Sequence, residues 1–179
     1  IEYRKERIKN NYERHGKLFD SFKDTMVDLA KRVNNLPVEE REPFGAVTYK
    51  RKSTSHDSPS YYLRTSVRKQ KLEWRGLMKL LKKAHYKHVR SIFISLSSHD
   101  GFIHFELNEN ELKRERLADQ ESIPGKKLKK KKNRSKNRYM YRYDLNKIDE
   151  TTARDILDWL TYRSTKEKIA FTKPEFQIK

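Results

Sequence analysis

The side chains best suited to chemistry in this chain are cations, and they are concentrated in two segments of its 179 residues. Lysine and arginine total 43 against 25 aspartates and glutamates, which gives a formal net charge of +18. Residues 49–91 contain 13 basic and 2 acidic residues, and residues 126–147 contain 11 and 1. Lysines that served only solubility would be spread more evenly. The distribution therefore predicts a surface that binds a polyanion, with nucleic acid as the leading class.

The first basic segment has helical periodicity over residues 70–87. At about 100° per residue, most of its cations fall on one arc and most of its apolar residues on the other. This pattern predicts an amphipathic helix whose cationic face lies along a phosphate backbone or in a major groove. The alternative is an ordinary solvated face, although Glu73 is the only acid between Lys69 and Lys87. The contacts predicted in and around this segment are Lys50, Arg51, Lys52, Arg64, Arg68, Lys69, Lys71, Arg75, Lys79, Lys82, Lys83 and Lys87.

The second basic segment is a lysine-rich run, GKKLKKKKNRSKNR, over residues 125–138. Its cations repel one another, and it has almost no apolar side chains, so we expect a mobile arm that becomes ordered on an anionic partner. A solvated loop or a nuclear import signal are the alternatives. The predicted contacts here are Lys126, Lys127, Lys129, Lys130, Lys131, Lys132, Arg134, Lys136 and Arg138.

Tyr139, Tyr141 and Tyr143 alternate directly after the lysine-rich run. Aromatic rings exposed on a sheet stack against unpaired bases, a pattern typical of proteins that bind RNA or single strands. Alternating aromatics more often form the core face of a strand, and we favour that interpretation here.

Catalytic and metal-binding patterns are weak. Asp100, Glu111 and Lys113 follow the rough order of carboxylates and lysine in metal-dependent nucleases, but their spacing is loose and Asp100 fits a turn. The six histidines show no compelling metal-ligand spacing, all five glycines are isolated, and cysteine is absent. We therefore expect no metal, no cofactor and no nucleotide-hydrolysing motif, and we keep a nuclease only as an alternative.

The elements that must position these residues predict a mixed α+β fold, with an antiparallel sheet of about five strands, about three helices and a long basic loop between late strands. Asp100-Gly101, between alternating apolar runs, is the strongest hairpin signal. The predicted helices cover residues 3–34, 70–87 and 151–163, and the predicted strands cover residues 44–52, 60–67, 90–98, 102–108 and 139–145. A short helix over residues 109–118 is also considered.

The apolar fraction is low, at 34%, so part of the chain should lie outside the core. The predicted organisation has three parts. Residues 1–40 form an N-terminal helical segment that could continue from residues upstream of Ile1. Residues 41–163 form an α+β nucleic-acid-binding core with the basic loop at 125–138, and residues 164–179 form a polar tail. No apolar run is long enough to span a membrane, and the absence of cysteine fits the cytoplasm, with a nucleus as the alternative.

These patterns together predict a nucleic-acid-binding protein without catalysis. Double-stranded DNA is the preferred partner, because a cationic helix and a lysine-rich arm both suit a duplex. Arg64, Arg68, Gln70 and Arg75 are the candidates for reading base edges. Two rivals are kept: an RNA-binding protein, and a metal-dependent nuclease or toxin-like ribonuclease.

Overall fold

A computed structural model of the chain describes residues 1–42, 44–53, 57–75, 80–114 and 135–178, with the backbone alone described at 51–53, 73–75, 80–84, 112–114 and 135–136. The α-helices within these ranges are α1 (Glu2–Asn34), α2 (Val38–Arg41) and α3 (Glu150–Leu160), and short 3-10 helices cover Leu145–Lys147, Lys166–Lys168, Ala170–Thr172 and Pro174–Phe176. The strands are β1 (Thr48–Ser53), β2 (Ser60–Arg75), β3 (Leu80–Leu96), β4 (Phe102–Arg114) and β5 (Ser135–Asp144). The predicted α+β class is confirmed.

The five strands of the described ranges form one antiparallel sheet in chain order, β1-β2-β3-β4-β5. The predicted Asp100-Gly101 turn joins β3 to β4, and Gly101 has φ +77°, a conformation that glycine adopts without strain. All 16 residues of β2 pair with β3, from Ser60 opposite Ser95 to Arg75 opposite Leu80. This long hairpin is the main structural feature that the sequence did not predict.

The helix predicted over residues 70–87 is wrong: this stretch contains the end of β2 and the beginning of β3. Gly76 lies inside the predicted helix, where it would cost about 1 kcal/mol relative to alanine. The alternation of inner-face and outer-face side chains that includes Tyr61 in β2 continues into this stretch, and the alternation that includes Ile92 in β3 begins in it. As strands, both parts also gain hydrogen-bonding partners across the sheet. Residues 109–114 likewise continue β4 and do not begin a helix.

The core lies between one face of the sheet and the helices α1 and α3. We call the face of the sheet that these helices cover the inner face. Side chains from the central strands, such as Leu63, Ile92 and Phe105, are at most 1% exposed on it. From α1, Phe19, Phe22, Met26 and Ala30 pack against it, as the predicted three- and four-residue spacing requires.

The helix α3 packs its apolar stripe on the same face, with Ile156, Trp159 and Leu160 fully buried. Its N-terminal cap is Asp149, two residues before the predicted start of the helix at residue 151: the Asp149 carboxylate accepts a hydrogen bond from the Thr152 backbone N–H at 2.8 Å. This bond, together with the Thr152 hydroxyl, holds the pKa of Asp149 below its usual range.

The C-terminal residues 164–178 also contribute to the core, although their composition is polar. Ile169 and Phe171 are at most 1% exposed. The Phe171 ring stacks on Phe105 of β4, with centroids 3.9 Å apart and planes at 4°. The backbone N–H of Ile178 donates to the Met140 carbonyl at 2.8 Å. This hydrogen bond joins the tail to the edge of β5 that does not pair with β4.

A buried amide fixes α1 to the turn between β3 and β4. Asn11 is fully buried, and its side-chain nitrogen lies 3.0 Å from Ser97 O, 3.1 Å from His99 O and 3.0 Å from Phe102 O. Its side-chain oxygen accepts from the Gly101 N–H at 2.9 Å. One side chain therefore satisfies backbone groups throughout the turn, which positions α1 along the sheet.

Within the described ranges, no helix is both long and apolar enough to cross a membrane.

Candidate nucleic-acid interface

The sheet has a second face, which we call the outer face, and the described helices pack on the opposite side. Because directly opposite residues of paired strands share a face, the register assigns this face without ambiguity. One transverse row crosses all five strands. It consists of Lys50, Tyr62, Phe93, Glu106 and Met140. The next row consists of Thr48, Arg64, Ser91, Asn108 and Arg138.

Cations dominate the outer face. Among its described side chains, six are lysine or arginine and two are acidic. The cations are Lys50, Arg64, Arg68, Lys87, Arg138 and Arg142. Lys50, Arg68 and Arg138 are exposed, and the other three are half-buried. The described cations therefore lie on four of the five strands, and lysine and arginine are residue types that commonly contact phosphates.

Both outer-face carboxylates are already bonded within the sheet. The Glu106 carboxylate accepts from an Arg138 guanidinium nitrogen at 2.7 Å and from the Asn108 amide at 3.0 Å. Asp144 accepts from the Asn146 backbone N–H at 2.9 Å, at the end of β5. Neither acid compensates the cations of β1, β2 and β3, so the excess positive charge lies on those strands.

The far end of the β2–β3 hairpin extends beyond β4 in the described ranges. Pairing of β3 with β4 begins at His85 opposite Arg114, whereas β2 pairs with β3 as far as Arg75 opposite Leu80. Near this point exposed or half-buried cations lie on both faces, Arg68 and Lys87 on the outer face and Lys69 on the inner face. A basic two-stranded ribbon of this kind fits a major groove as well as a helix does.

The predicted contacts in residues 50–87 therefore belong to strands, on two faces. Lys50, Arg64, Arg68 and Lys87 lie together on the outer face, whereas Lys69 and Lys71 lie on the inner face. Arg51, Lys52, Arg75, Lys82 and Lys83 have a described backbone only, and Lys79 lies outside the described residues. The candidate base-reading set is divided in the same way, since Arg64, Arg68 and the exposed Gln70 share the outer face.

The lysine-rich run is described only at its end. Lys126, Lys127, Lys129, Lys130, Lys131, Lys132 and Arg134 lie outside the described residues, and Lys136 has a described backbone only. Arg138 is exposed on the outer face, beside Asn108 of β4. The end of the run, from Ser135 onward, thus belongs to β5, and its Arg138 lies among the outer-face cations.

The tyrosine stripe belongs to the core, as we favoured from the sequence. Tyr141 and Tyr143 are 2% and 7% exposed on the inner face, and Tyr139 packs partly against the core. Burial raises the pKa of both the Tyr141 and Tyr143 hydroxyls. The outer face has other phenyl rings: Tyr62 and Phe93 are neighbours and half-buried, and Phe102, at the start of β4, is exposed beside Arg142. The alternation of residues 60–67 already placed Tyr62 on the face opposite Tyr61. Its neighbour Phe93 could not be identified in the same way, because only the pairing of β2 with β3 brings the two residues together.

The considered nuclease triplet does not assemble. Asp100 lies in the turn before β4 and pairs with Arg14 of α1, whereas Glu111 lies nine residues along β4 from Phe102, about 30 Å away at the usual rise per residue. Glu111 pairs instead with Lys71 at 3.0 Å. Among the described residues, no group of three or more histidines and carboxylates is placed to hold a metal ion.

A cavity of about 280 Å³ lies on the inner face, where α3 ends and the sheet continues. Arg90 lies 2.8 Å from the Glu109 carboxylate, donates to the Trp159 carbonyl at 2.6 Å and lies 4.4 Å from the centroid of the Tyr162 ring. Tyr162 has φ +65°, a strained conformation for an aromatic residue, at the end of α3. These contacts hold the end of α3 on the sheet, and Arg90 and Glu109 bring opposite charges into contact in the cavity, whereas the outer face has a surplus of one sign.

His104 lies on the outer face beside Arg142 of β5. Burial, together with the positive charges of Arg142 and Arg4, lowers its pKa from 6.5 to about 4. The imidazole is therefore neutral at pH 7 and adds no charge to the cationic cluster.

Protonation of His104 should destabilise the fold as the pH falls. Between about pH 6.5 and pH 4 the unfolded chain binds the proton that the folded chain excludes, so the free energy of unfolding should decrease through this window. A His104→Gln variant lacks this titration, and its melting temperature should fall less between pH 7 and pH 4. Thermal unfolding followed by circular dichroism at half-unit pH steps measures the difference. Parallel curves for the two proteins would contradict the assignment.

No protein-family model matches the chain, and neither a curated protein nor a solved structure matches it.

Proposed function

We propose that this protein binds nucleic acid through the outer face of its sheet and the adjoining β2–β3 hairpin. The observation that carries the proposal is the unequal charge of the two faces. The described outer face has six cations and two acids that are already bonded, whereas near the inner-face cavity three cations, Lys69, Lys71 and Arg90, face two acids, of which Glu111 pairs with Lys71 and Glu109 with Arg90. A polyanion with regularly spaced charges complements such a surface, and it releases its counterions on binding.

The alternative explanation is that these cations serve only solubility. A face evolved for solubility alone usually mixes both signs, because clustered like charges repel one another and oppose folding. The cations here recur on the same face along the strands, as Arg64 and Arg68 do on β2. One same-face residue, Ser66, separates them, so they lie about 13 Å apart along β2, and with Lys87 opposite Arg68 they form a line of cations along the hairpin that a phosphate backbone can follow.

The protein surface in this proposal is a sheet, and the cationic helix predicted from the sequence is not part of it. The preference for duplex DNA depended on that helix. Duplex DNA remains a ligand that the extended hairpin can accept, because a two-stranded ribbon fits the major groove. The proposal implies a compartment that contains nucleic acid, either the cytoplasm or a nucleus.

The salt dependence of binding tests the proposal. If phosphates provide the affinity, log affinity should fall linearly with log salt, by about 0.7 per phosphate contact on a single strand and about 0.9 on a duplex. With four to six of the outer-face cations engaged, we expect a slope of about −3 to −5. Fluorescence anisotropy with labelled 20-nucleotide single-stranded and duplex ligands, titrated at four salt concentrations, measures this slope.

Polyglutamate of the same charge is the control, because it presents negative charge without the spacing of phosphates. We expect it to bind at least tenfold more weakly than either nucleic acid. A flat salt dependence, or equal affinity for polyglutamate and nucleic acid, would contradict the proposal.

A further inference from the structure

The row of outer-face residues that crosses all five strands contains two neighbouring aromatic rings. Tyr62 of β2 and Phe93 of β3 are directly opposite each other in the register, so their Cβ atoms are about 5 Å apart. The inner-face aromatics of these and neighbouring strands behave differently: Tyr61 is fully buried, and Phe105 is 1% exposed. Tyr62 and Phe93 are half-buried in the middle of a face on which no described helix packs.

The residues next to Phe93 on its own strand are short. On the outer face of β3, Ser91 precedes Phe93 and Ser95 follows it. On β2, Ser60 precedes Tyr62 on the same face. Ser60 and Ser91 are themselves buried, at 8% and 4% exposed, whereas the longer side chains of Tyr62 and Phe93 keep part of their surface exposed. Part of each ring is therefore accessible at the surface, where an aromatic face can stack against a flat ligand group.

Cations surround the aromatic pair on two sides. Lys50 is opposite Tyr62 on β1, and Arg64 follows Tyr62 on the outer face of β2. The acid in the row, Glu106, is held by Arg138 at 2.7 Å. Phosphate-binding groups thus lie next to the rings, both along the strand and across the sheet. A ligand that fits this arrangement has flat apolar groups and negative charges at short, regular intervals.

We infer that the outer face binds single-stranded nucleic acid, with unpaired bases stacked on Tyr62 and Phe93 and phosphates bound by Lys50 and Arg64. A duplex hides its bases inside the helix, so it would contact the cations and leave the rings unused, whereas an unpaired strand uses both. The inference rests on the proposed function, because it requires that nucleic acid binds this face.

A comparison of three ligands of equal length tests the inference. The ligands are a 20-nucleotide oligothymidine, which has no internal pairing, an abasic 20-unit strand with the same phosphates, and a 20-base-pair duplex. A uridine 20-mer provides the RNA arm. We expect oligothymidine or oligouridine to bind at least tenfold more tightly than the abasic strand, because stacked bases add affinity that phosphates alone lack. We also expect tighter binding of the single strand than of the duplex.

A double variant, Tyr62→Leu with Phe93→Leu, locates the effect. Leucine keeps apolar volume in the sheet but removes the ring, so affinity for oligothymidine should fall about 30-fold while affinity for the abasic strand stays within about twofold. Tyr49→Leu is the matched control, because Tyr49 is a half-buried aromatic of the adjacent strand whose side chain packs toward the inner face. Its affinity for every ligand should be unchanged. Melting temperatures of all variants establish that each one is folded.

The outcomes separate the inference from the proposed function. If no nucleic acid binds with a salt-dependent affinity, the proposed function fails. If nucleic acid binds but the abasic strand or the duplex binds as tightly as oligothymidine, the function stands and the single-strand inference is overturned. Equal losses for base-bearing and abasic strands in the double variant would also overturn it, because they would mean that the rings only support the sheet.

Discussion

A variant in which Arg64, Arg68, Lys87 and Arg138 are all replaced by glutamine should bind nucleic acid about a thousandfold more weakly at moderate salt. The four cations lie on three strands of the outer face, and in the proposed function each of them binds a phosphate. Glutamine keeps a polar side chain of similar length, so the sheet should be retained. The replacement of Arg138 also leaves Glu106 without the guanidinium that binds it at 2.7 Å, which adds a repulsive charge to the surface.

The salt dependence of the same variant gives an independent readout. Removal of four phosphate-binding cations should make the slope of log affinity against log salt shallower by about 3 on a single strand. The slope reports how many phosphates the protein binds and is insensitive to stability, because a partly unfolded protein would show a lower active concentration with an unaltered slope. Anisotropy titrations at four salt concentrations provide both the affinity and the slope.

The control variant replaces Lys17, Lys31, Lys168 and Lys173 with glutamine. These exposed lysines lie on α1 and in the C-terminal residues 164–178, away from the outer face, and the change in net charge is the same. We expect its affinity to fall by less than about threefold, since exposed charges beyond a Debye length are largely screened. Equal losses of affinity in the two variants would show that only total charge matters, and the outer face would then lose its role.

Asn11→Ala should lower the free energy of unfolding by about 3 kcal/mol. Asn11 is fully buried, and its amide is the partner of four backbone groups of the β3–β4 turn, at 2.9 to 3.1 Å. Alanine would remove the partner of the Ser97 carbonyl and of the Gly101 N–H beneath α1, whereas the Phe102 and His99 carbonyls would keep backbone N–H donors at 3.1 and 3.3 Å. Each such group typically costs about 1–3 kcal/mol, reduced here because the turn is at the edge of the sheet.

Asn10→Ala is the matched control, because the two asparagines are adjacent on α1 and only Asn11 is buried. Both substitutions raise helix propensity, so any difference between them reports the buried amide. Urea unfolding followed by circular dichroism should show Asn10→Ala within about 0.5 kcal/mol of the parent. If Asn11→Ala is equally mild, the turn is held by other contacts.

The fold class could be predicted because most elements have a clear local signal. The apolar stripe of α1, the Asp100-Gly101 turn and the alternation of Ile92, Ile94 and Leu96 each indicate one kind of structure. The structure of residues 70–87 could not be predicted in this way. Its leucines at three- and four-residue spacing fit a helical period, while its cations and histidines alternate as they would in a strand. Partners across the sheet decide between these two periods, and a local pattern contains no information about them.

The candidate site was predicted in part. The basic character of residues 50–87 identified Lys50, Arg64, Arg68 and Lys87, which do share a face. Arg142 was missed because its strand was noticed only for the tyrosines, although its position between Tyr141 and Tyr143 already implied the opposite face. Phe93 was missed as a surface residue because it lies within the apolar run that precedes the Asp100-Gly101 turn.

The sequence by itself determined the charge, its concentration in two segments and the alternation that gives each strand two different faces, since these depend only on the order of residues. Tertiary structure alone decided which face the helices cover and which residues become neighbours across strands. Tyr62 and Phe93 are 31 positions apart in the chain, yet they are adjacent in the sheet because all of β2 pairs with β3. Burial of the inner-face apolar side chains against α1 and α3 sets that arrangement, and it leaves the cations and the two rings together on the other side.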